Sequence, residues 1–301
     1  MKTSVHIKIY ALFIALIIPS SAFAQVSHYQ TEFEQAKWHY SGDPYLCQIG
    51  HKVEGFGEFK LIAEPDSLLS LQLTADWLTF KNEQSPVTLQ SPSWNQGKQL
   101  SSIETQLHWQ GNTGRSQDST NQFLEGLEQG LSWQVAISGA QGNSYLVETA
   151  PIATQAITRQ FKLCRQNLLP QPFSYVRRID LLFHSGSSLL IAAHEADLDA
   201  IAQYVLVDNS IVEVLVDAHA DGSGESLANL VLSKERADEV ASRLIELGIT
   251  KKMVQVRHHG IRSPKASNKT QAGRELNRRV TVRLVKSDSR SAELQTGGAN
   301  E

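Results

Sequence analysis

The chain has 301 residues, 41% of them hydrophobic and 20% charged, and a formal net charge of −3. That apolar share supports packed cores and excludes a wholly disordered chain, and the length suggests two domains. The slight acidity argues against nucleic acid or an anionic membrane surface as partner.

The first 24 residues read as a secretory signal peptide cleaved after Ala24. Lys2 and Lys8 give a basic start, Ile9 to Ile18 are apolar, Pro19 breaks the run, and "AFA" at 22–24 supplies the small residues of a cleavage site. A helix that short covers about 15 Å, half a bilayer core, which disfavours a membrane anchor. The residue directly after the cleavage point is Gln25 and not cysteine, so a lipoprotein is not expected. Losing Lys2 and Lys8 takes the charge from −3 to −5.

Residues 25–168 alternate at period two, the mark of strands with one wet face. Leu69, Leu71, Leu73, Ala75 and Trp77 fall on one side of "LLSLQLTADW"; Leu131, Trp133, Val135 and Ile137 on one side of "LSWQVAISG"; Ile103, Leu107 and Trp109 align in "IETQLHWQG". Glycine and proline punctuate between these runs. One helix is expected in "STNQFLEGLEQG", 119–130, with Phe123, Leu124 and Leu127 on one face. The pattern predicts an antiparallel β-barrel or sandwich, in which Trp77, Trp109 and Trp133 serve packing. Cys47 and Cys164 are the only cysteines. In an exported chain they are expected to form one disulfide, tying the start of this domain to its end.

A proline-containing linker, 169–174, leads to a domain at 175–286 where the period changes. "YVRRIDLLF" reads as a strand, "SSLLIAAHEADLDAIAQYVLVD" as a helix, "IVEVLVDAH" as a strand, "LSKERADEVASRLIELG" as a helix stopped by Gly248, and "KKMVQVRHH" as a strand. "NKTQAGRELNRRVTVRLV" opens irregular or helical and ends as a strand. This is an α+β chain whose second domain is a β-α-β-α-β-β sandwich, one sheet under two helices. Residues 287–301 are polar and expected to be disordered.

In "VDAHADGSGESLANLVLSKERADEV" an acid, Asp221, sits in a flexible loop and a base, Arg236, on the following helix. Arg matches a carboxylate with two parallel hydrogen bonds, and Asp matches an ammonium. A ligand with both groups on one carbon satisfies the pair. The spacing alone leaves an internal salt bridge equally open.

The stretch "DAHADGSGESLANLVLSKERADEV" followed by "AGRELNRRV" resembles the peptidoglycan-binding domain of the OmpA C-terminal type. His219, Ala220, Asp221, Asn229, Leu232, Ser233, Arg236, Ala237 and Val240 fit its first block. Gly273, Arg274, Asn277, Arg278, Arg279 and Val280 fit the second. The resemblance implies that Asp221 and Arg236 grip the zwitterionic end of diaminopimelate in the wall's stem peptide. Ala220, Asn229 and Arg278 are further ligand-side candidates, Asn229 chiefly as a loop-ordering residue and Arg278 as a brace for the last strand. Two departures stand out: Ala220 replaces the family's Thr, and His184 replaces an Asp that helps hold the ammonium. Both Asp221→Asn and Arg236→Ala are expected to fold and to lose the wall.

Over its whole length the chain is similar to the MotY family, periplasmic T-ring components of sodium-driven polar flagellar motors. "YQTEFEQAKWHYSGDPYLCQIGHKVEGFGEF" and "FKLCRQN" carry that similarity. It implies a periplasmic location and a first domain that docks on the flagellar basal body and on MotX. The second domain would hold peptidoglycan, so that a PomA/PomB-type stator is recruited. The alternative is another wall-anchored envelope protein unconnected with the flagellum. An enzyme is not expected: no GxSxG, HExxH, SxxK set or P-loop is present. The histidines show no metal-ligand spacing. No catalytic residue, metal or cofactor is assigned.

Overall fold

The computed structural model describes residues 26–91, 103–139 and 143–287. The expected signal peptide and the expected disordered tail beyond Ser287 lie outside the described residues. No described helix is long and apolar enough to cross a membrane.

The amino-terminal strands are β1 (Val26–Gln30), β2 (Trp38–Asp43), β3 (Leu46–Val53), β4 (Gly57–Ala63), β5 (Ser70–Ala75), β6 (Phe80–Gln90), β7 (Glu104–Gly111), β8 (Thr113–Ser116), β9 (Ser132–Ser138) and β10 (Ser144–Glu148). They make one ten-stranded sheet in the order β1-β10-β9-β6-β7-β8-β5-β4-β3-β2. β1 and β10 pair in parallel; the remaining pairs are antiparallel. The fold is thus a single curled sheet rather than two stacked ones. The alternating residues line its inner face: Leu71, Leu73, Leu107, Trp133 and Val135 are fully buried.

Two helices close this core. α1 (Thr120–Glu128) brings Phe123, Leu124 and Leu127 into it. α2 (Thr154–Gln166) lies against β2 and β3 and buries Phe161. The Cys47–Cys164 disulfide fixes α2 to β3, with Cα atoms 6.0 Å apart. Trp109 donates its indole N–H to Ser85 Oγ (2.9 Å) and Trp133 to the Phe123 carbonyl (3.0 Å), so both satisfy their polar atom inside the core. Trp77 departs from the alternation and is 49% exposed. β5 ends at Ala75, and beyond it Trp77 lies on the rim beside Tyr29, Phe56 and Tyr145.

One buried histidine makes this domain sensitive to acid. His51 has no exposed surface. Its ring stacks on Trp38 (4.9 Å), Nε2 accepts from the Ala150 N–H (3.3 Å), and Nδ1 lies 3.3 Å from the Lys37 carbonyl. A proton on Nε2 would face the Ala150 N–H. Burial pushes the His51 pKa down to about 4, against a weaker pull from the Lys37 carbonyl. The unfolded chain therefore binds more protons than the folded one between pH 6.5 and 4. His51 favours the fold fully above pH 6.5, and stability falls as pH drops through that window. The loss approaches roughly 3 kcal/mol at its acid end. Denaturant melts at pH 7.5 and 4.5 should show a smaller gap in His51→Gln than in wild type; equal gaps would discount the role of His51.

The carboxy-terminal elements are α3 (Phe173–Val176), β11 (Arg178–Leu182), α4 (Ala192–Val207), β12 (Ile211–Ala218), α5 (Ser226–Glu246), β13 (Val254–His258), α6 (Gln271–Asn277) and β14 (Arg279–Lys286). The sheet order is β11-β14-β12-β13, with only β12–β13 parallel. Leu198 and Ile201 of α4 and Ala237, Val240 and Leu244 of α5 share a core with Val214, Val216, Val280 and Val282. The other sheet face is polar. There Asp217 meets Arg257 (2.7 Å) and His259 (3.0 Å), and Lys265 meets Asp180 (2.6 Å).

Several elements differ from the sequence reading: α2 is not expected from it, α4 starts at Ala192 instead of Ser187, and Lys251–Met253 form a 3-10 turn before β13. Tyr175 and Val176 belong to a helical turn opened by Pro172, and the strand starts only at Arg178. α5 begins at Ser226, well before Leu232, because "SLANLV" continues the helix on a mostly exposed turn that carries no apolar stripe. Gly248 ends it at φ 102°, a backbone conformation suited to glycine.

Candidate functional site

The site forms where β12 ends. The chain leaves the sheet at Ala218, and the next two residues are pinned by their backbones: His219 N–H donates to the Arg279 carbonyl and Ala220 N–H to that of Gly260, both at 2.8 Å. This fixes the direction in which Asp221 points. Asp221 is 6% exposed; one carboxylate oxygen accepts the Ser223 N–H (2.8 Å) and the other accepts Arg278 Nη1 (2.9 Å). Burial pushes its pKa up, but Arg278 and the Ser223 hydrogen bonds outweigh that and hold it below the usual carboxylate range.

The loop after Asp221 is locked from two sides. Gly222 N–H donates to Asn268 Oδ1 (2.9 Å), and Asn229 Nδ2 donates to the Ser223 carbonyl (2.7 Å). A Cβ on Gly222 would stand 2.9 Å from the Asn268 side chain, so glycine permits the close approach. Asn268 is held in turn by Asn277 Nδ2 (2.8 Å).

Arg236 comes up from the third turn of α5 with no exposed surface. Nε donates to the Ser187 carbonyl (2.8 Å), Nη1 to that of His219 (3.2 Å) and Nη2 to that of His184 (3.0 Å). The Phe183 ring lies 5.2 Å from the guanidinium. Burial first, and then the like charge of Arg278, lowers its pKa to about 10, with Asp221 opposing; Arg236 stays charged at neutral pH. A guanidinium has five N–H donors, so three are bound to carbonyls and two remain.

Asp221 and Arg236 therefore do not neutralise each other. Asp221 pairs with Arg278, Arg236 with backbone carbonyls. Both line one cleft of about 170 Å³, together with Ala220, Asn229, Arg278 and the Ser185–Gly186 turn. Ala220 contributes its small side chain to the lining. Arg278 also donates Nε to the Phe183 carbonyl (3.0 Å), so it braces β11 and faces the cleft at once. The His184 side chain is exposed, and its carbonyl is what Arg236 uses. Summed over Asp221, Arg236 and Arg278, the site carries one net positive charge, a match for a ligand with an ammonium and one or more carboxylates.

Sequence reading missed the carbonyls of His184 and Ser187 and the Asn277–Asn268–Gly222 relay. Backbone acceptors leave no mark on residue type. Asn277 and Arg278 stood in one motif, but their division of labour, one holding the loop and the other the acid, depends on which way each side chain leaves the end of α6.

Two family models match the chain: MotY N-terminal domain over residues 29–170, and OmpA family over residues 182–278. The sodium-type flagellar protein MotY of Vibrio parahaemolyticus is 25% identical over 277 residues, covering 90% of this chain and 94% of that protein. The outer-membrane lipoprotein YfiB of Pseudomonas aeruginosa is 40% identical over 72 residues, 24% of this chain and 43% of its own length. Among solved structures, the peptidoglycan-associated lipoprotein of Burkholderia pseudomallei is 25% identical with a TM-score of 0.34, covering 35% of this chain and 89% of that one.

Proposed function

This chain is a MotY-type flagellar protein homologue, a MotY N-terminal domain followed by an OmpA-family domain, and from that premise we propose that it ties a flagellar motor to the cell wall. Neither family is known for enzymes. In this reading the carboxy-terminal domain binds peptidoglycan through the cleft at Asp221. The ammonium of a diaminopimelate side chain meets the Asp221 carboxylate, and its carboxylate is drawn to the cationic wall of the cleft, where Arg278 is partly exposed and the buried Arg236 lies behind it. Asn229 and Ala220 shape the cleft. The observation that carries this reading is the convergence of one carboxylate and two guanidinium groups on a single cleft, without Asp221 and Arg236 being spent on each other.

The amino-terminal domain then docks on the basal body and on MotX in the periplasm, after removal of the signal peptide, and the stator of PomA/PomB type is recruited beside it. A stator has to push against something that does not rotate. The wall is a covalent net, and many modest clamps on one assembly act together through effective concentration.

Co-sedimentation with purified sacculi tests the cleft. Asp221→Asn keeps the size of the side chain and removes its charge. It is expected to fold as wild type and bind sacculi at least tenfold more weakly, since a charge-assisted hydrogen bond contributes about 1.5–3 kcal/mol. Free diaminopimelate should displace the wild-type protein. Undiminished sedimentation of Asp221→Asn would rule out the clamp. For the motor assignment, a deletion strain should assemble filaments that do not turn; normal swimming would favour a wall-anchored protein outside the flagellum.

A further inference from the structure

A second surface lies on the same domain, away from the cleft. β13 is the edge strand of the four-stranded sheet, bonded to β12 on one side only. Ala218 is paired with His258, and the His259 N–H donates to the Ala218 carbonyl. In a parallel ladder alternate residues bond to the same neighbour. The peptide groups of Val256 and His258 therefore turn away from β12, toward the open side, while the Val254 N–H is already taken by the Lys251 carbonyl.

Behind this edge runs a groove of about 440 Å³ between β13 and α5, lined by Ala241, Ser242, Ile245, Lys251, Val254 and Val256, with Asp238 at its rim. Val256 is 39% exposed and Ile245 37%. Asp238 is engaged by Lys234 on its own helix (2.6 Å). The side chains of Val254 and Val256 share a face with Val214 and Val216 and point toward α5, while Gln255 and Arg257 lie on the opposite, polar face.

The chain around the edge is mostly basic, although Arg257 is paired with Asp217 (2.7 Å) and Asp238 stands at the groove rim. From Leu247 to Arg274 the sequence contains no acidic residue and seven Lys or Arg, among them Lys251, Lys252 and Arg257. Basic side chains on an edge strand deter pairing with an identical edge, because like charges are brought together. That weighs against a second copy adding through β13. Deterrence alone does not account for a groove floored by valine and isoleucine beside an open backbone edge.

We propose that β13 accepts an extended acidic polypeptide segment of a partner protein as a fifth strand. The partner's alternate apolar side chains enter the groove against Ile245, Val254 and Val256, and its carboxylates meet Lys251 and Lys252. Backbone hydrogen bonds supply affinity, and the alternation of apolar and acidic positions supplies specificity. This surface is independent of wall binding.

The test titrates the mature full-length chain with an acetylated, amidated heptapeptide alternating glutamate and valine. The comparison peptides replace glutamate by lysine, or the central valine by proline. Saturable binding of the glutamate peptide is expected, weakened at least tenfold by 0.5 M salt and by the proline, and absent with lysine. Val256→Pro removes an N–H that faces outward, a position where edge strands tolerate proline. It should lose the peptide yet sediment with sacculi as wild type does. Ile245→Glu, at an exposed position of α5, is a second variant expected to lose the peptide should Val256→Pro fail to fold. The proposal is overturned if the glutamate peptide does not bind, if the lysine peptide binds equally, or if folded Val256→Pro or Ile245→Glu binds as wild type. Equal binding of unpatterned polyglutamate would also overturn it, marking a polyanion patch instead of a strand site.

Discussion

Arg236→Ala is expected to destabilise the carboxy-terminal domain by about 3–5 kcal/mol, the cost of removing one member of a buried, hydrogen-bonded charge cluster. The sequence alone leads one to expect a folded variant that merely lets go of its ligand. The structure says otherwise. Arg236 has no exposed surface and holds the carbonyls of His184, Ser187 and His219 on three separate segments. Alanine leaves all three without that donor and strips the Phe183 ring of its cation. The Ser185–Gly186 wall of the cleft loses its tether in the same step. Urea denaturation should show a lower midpoint for the domain. Wild-type stability in Arg236→Ala would mean that water replaces the guanidinium at little cost, and that Arg236 is a ligand group only. Asp221→Asn, whose neighbours are also held by Gly222 and Asn229, is the variant that separates binding from folding.

Breaking the Cys47–Cys164 disulfide should cost the amino-terminal domain about 2–4 kcal/mol. The bridge closes a sequence separation of 117 residues, and loop-closure entropy grows with that length. Its position adds a local effect. β1 and β2 are the two ends of the sheet order, and α2 lies across β2 and β3 at one of those ends. The bridge holds α2 there, keeping Phe161 in the core. Cys47→Ala/Cys164→Ala, or wild type with dithiothreitol, should unfold at lower denaturant when followed by tryptophan fluorescence, since Trp38, Trp109 and Trp133 are all buried. An unchanged midpoint with an unchanged slope would show that helix packing alone holds the seam.

The charge map makes the cleft and the β13 edge complementary in use. One is a small, polar recess with a single net positive charge. The other is an open edge with an apolar floor and a basic rim.

By itself, the sequence determined the periodicities and the chemistry at chosen positions. The period-two runs gave the inward residues of β5, β7 and β9, and the change of period marked α4 and α5 as helices. Both follow from local geometry, which fixes where each successive side chain points whatever the rest of the chain does. The cysteine pair was legible for the same reason of simplicity: two thiols in an exported chain have one pairing. Trp77 marks the limit, because alternation holds only while the strand lasts, and the end of β5 at Ala75 is set by its neighbours. Only the tertiary structure decided that ten strands form one curled sheet, that Asp221 is held by Arg278 instead of Arg236, and that three carbonyls from distant segments meet on one guanidinium. Those facts depend on which segments come together in space, and a backbone carbonyl looks the same in every residue until the fold aims it.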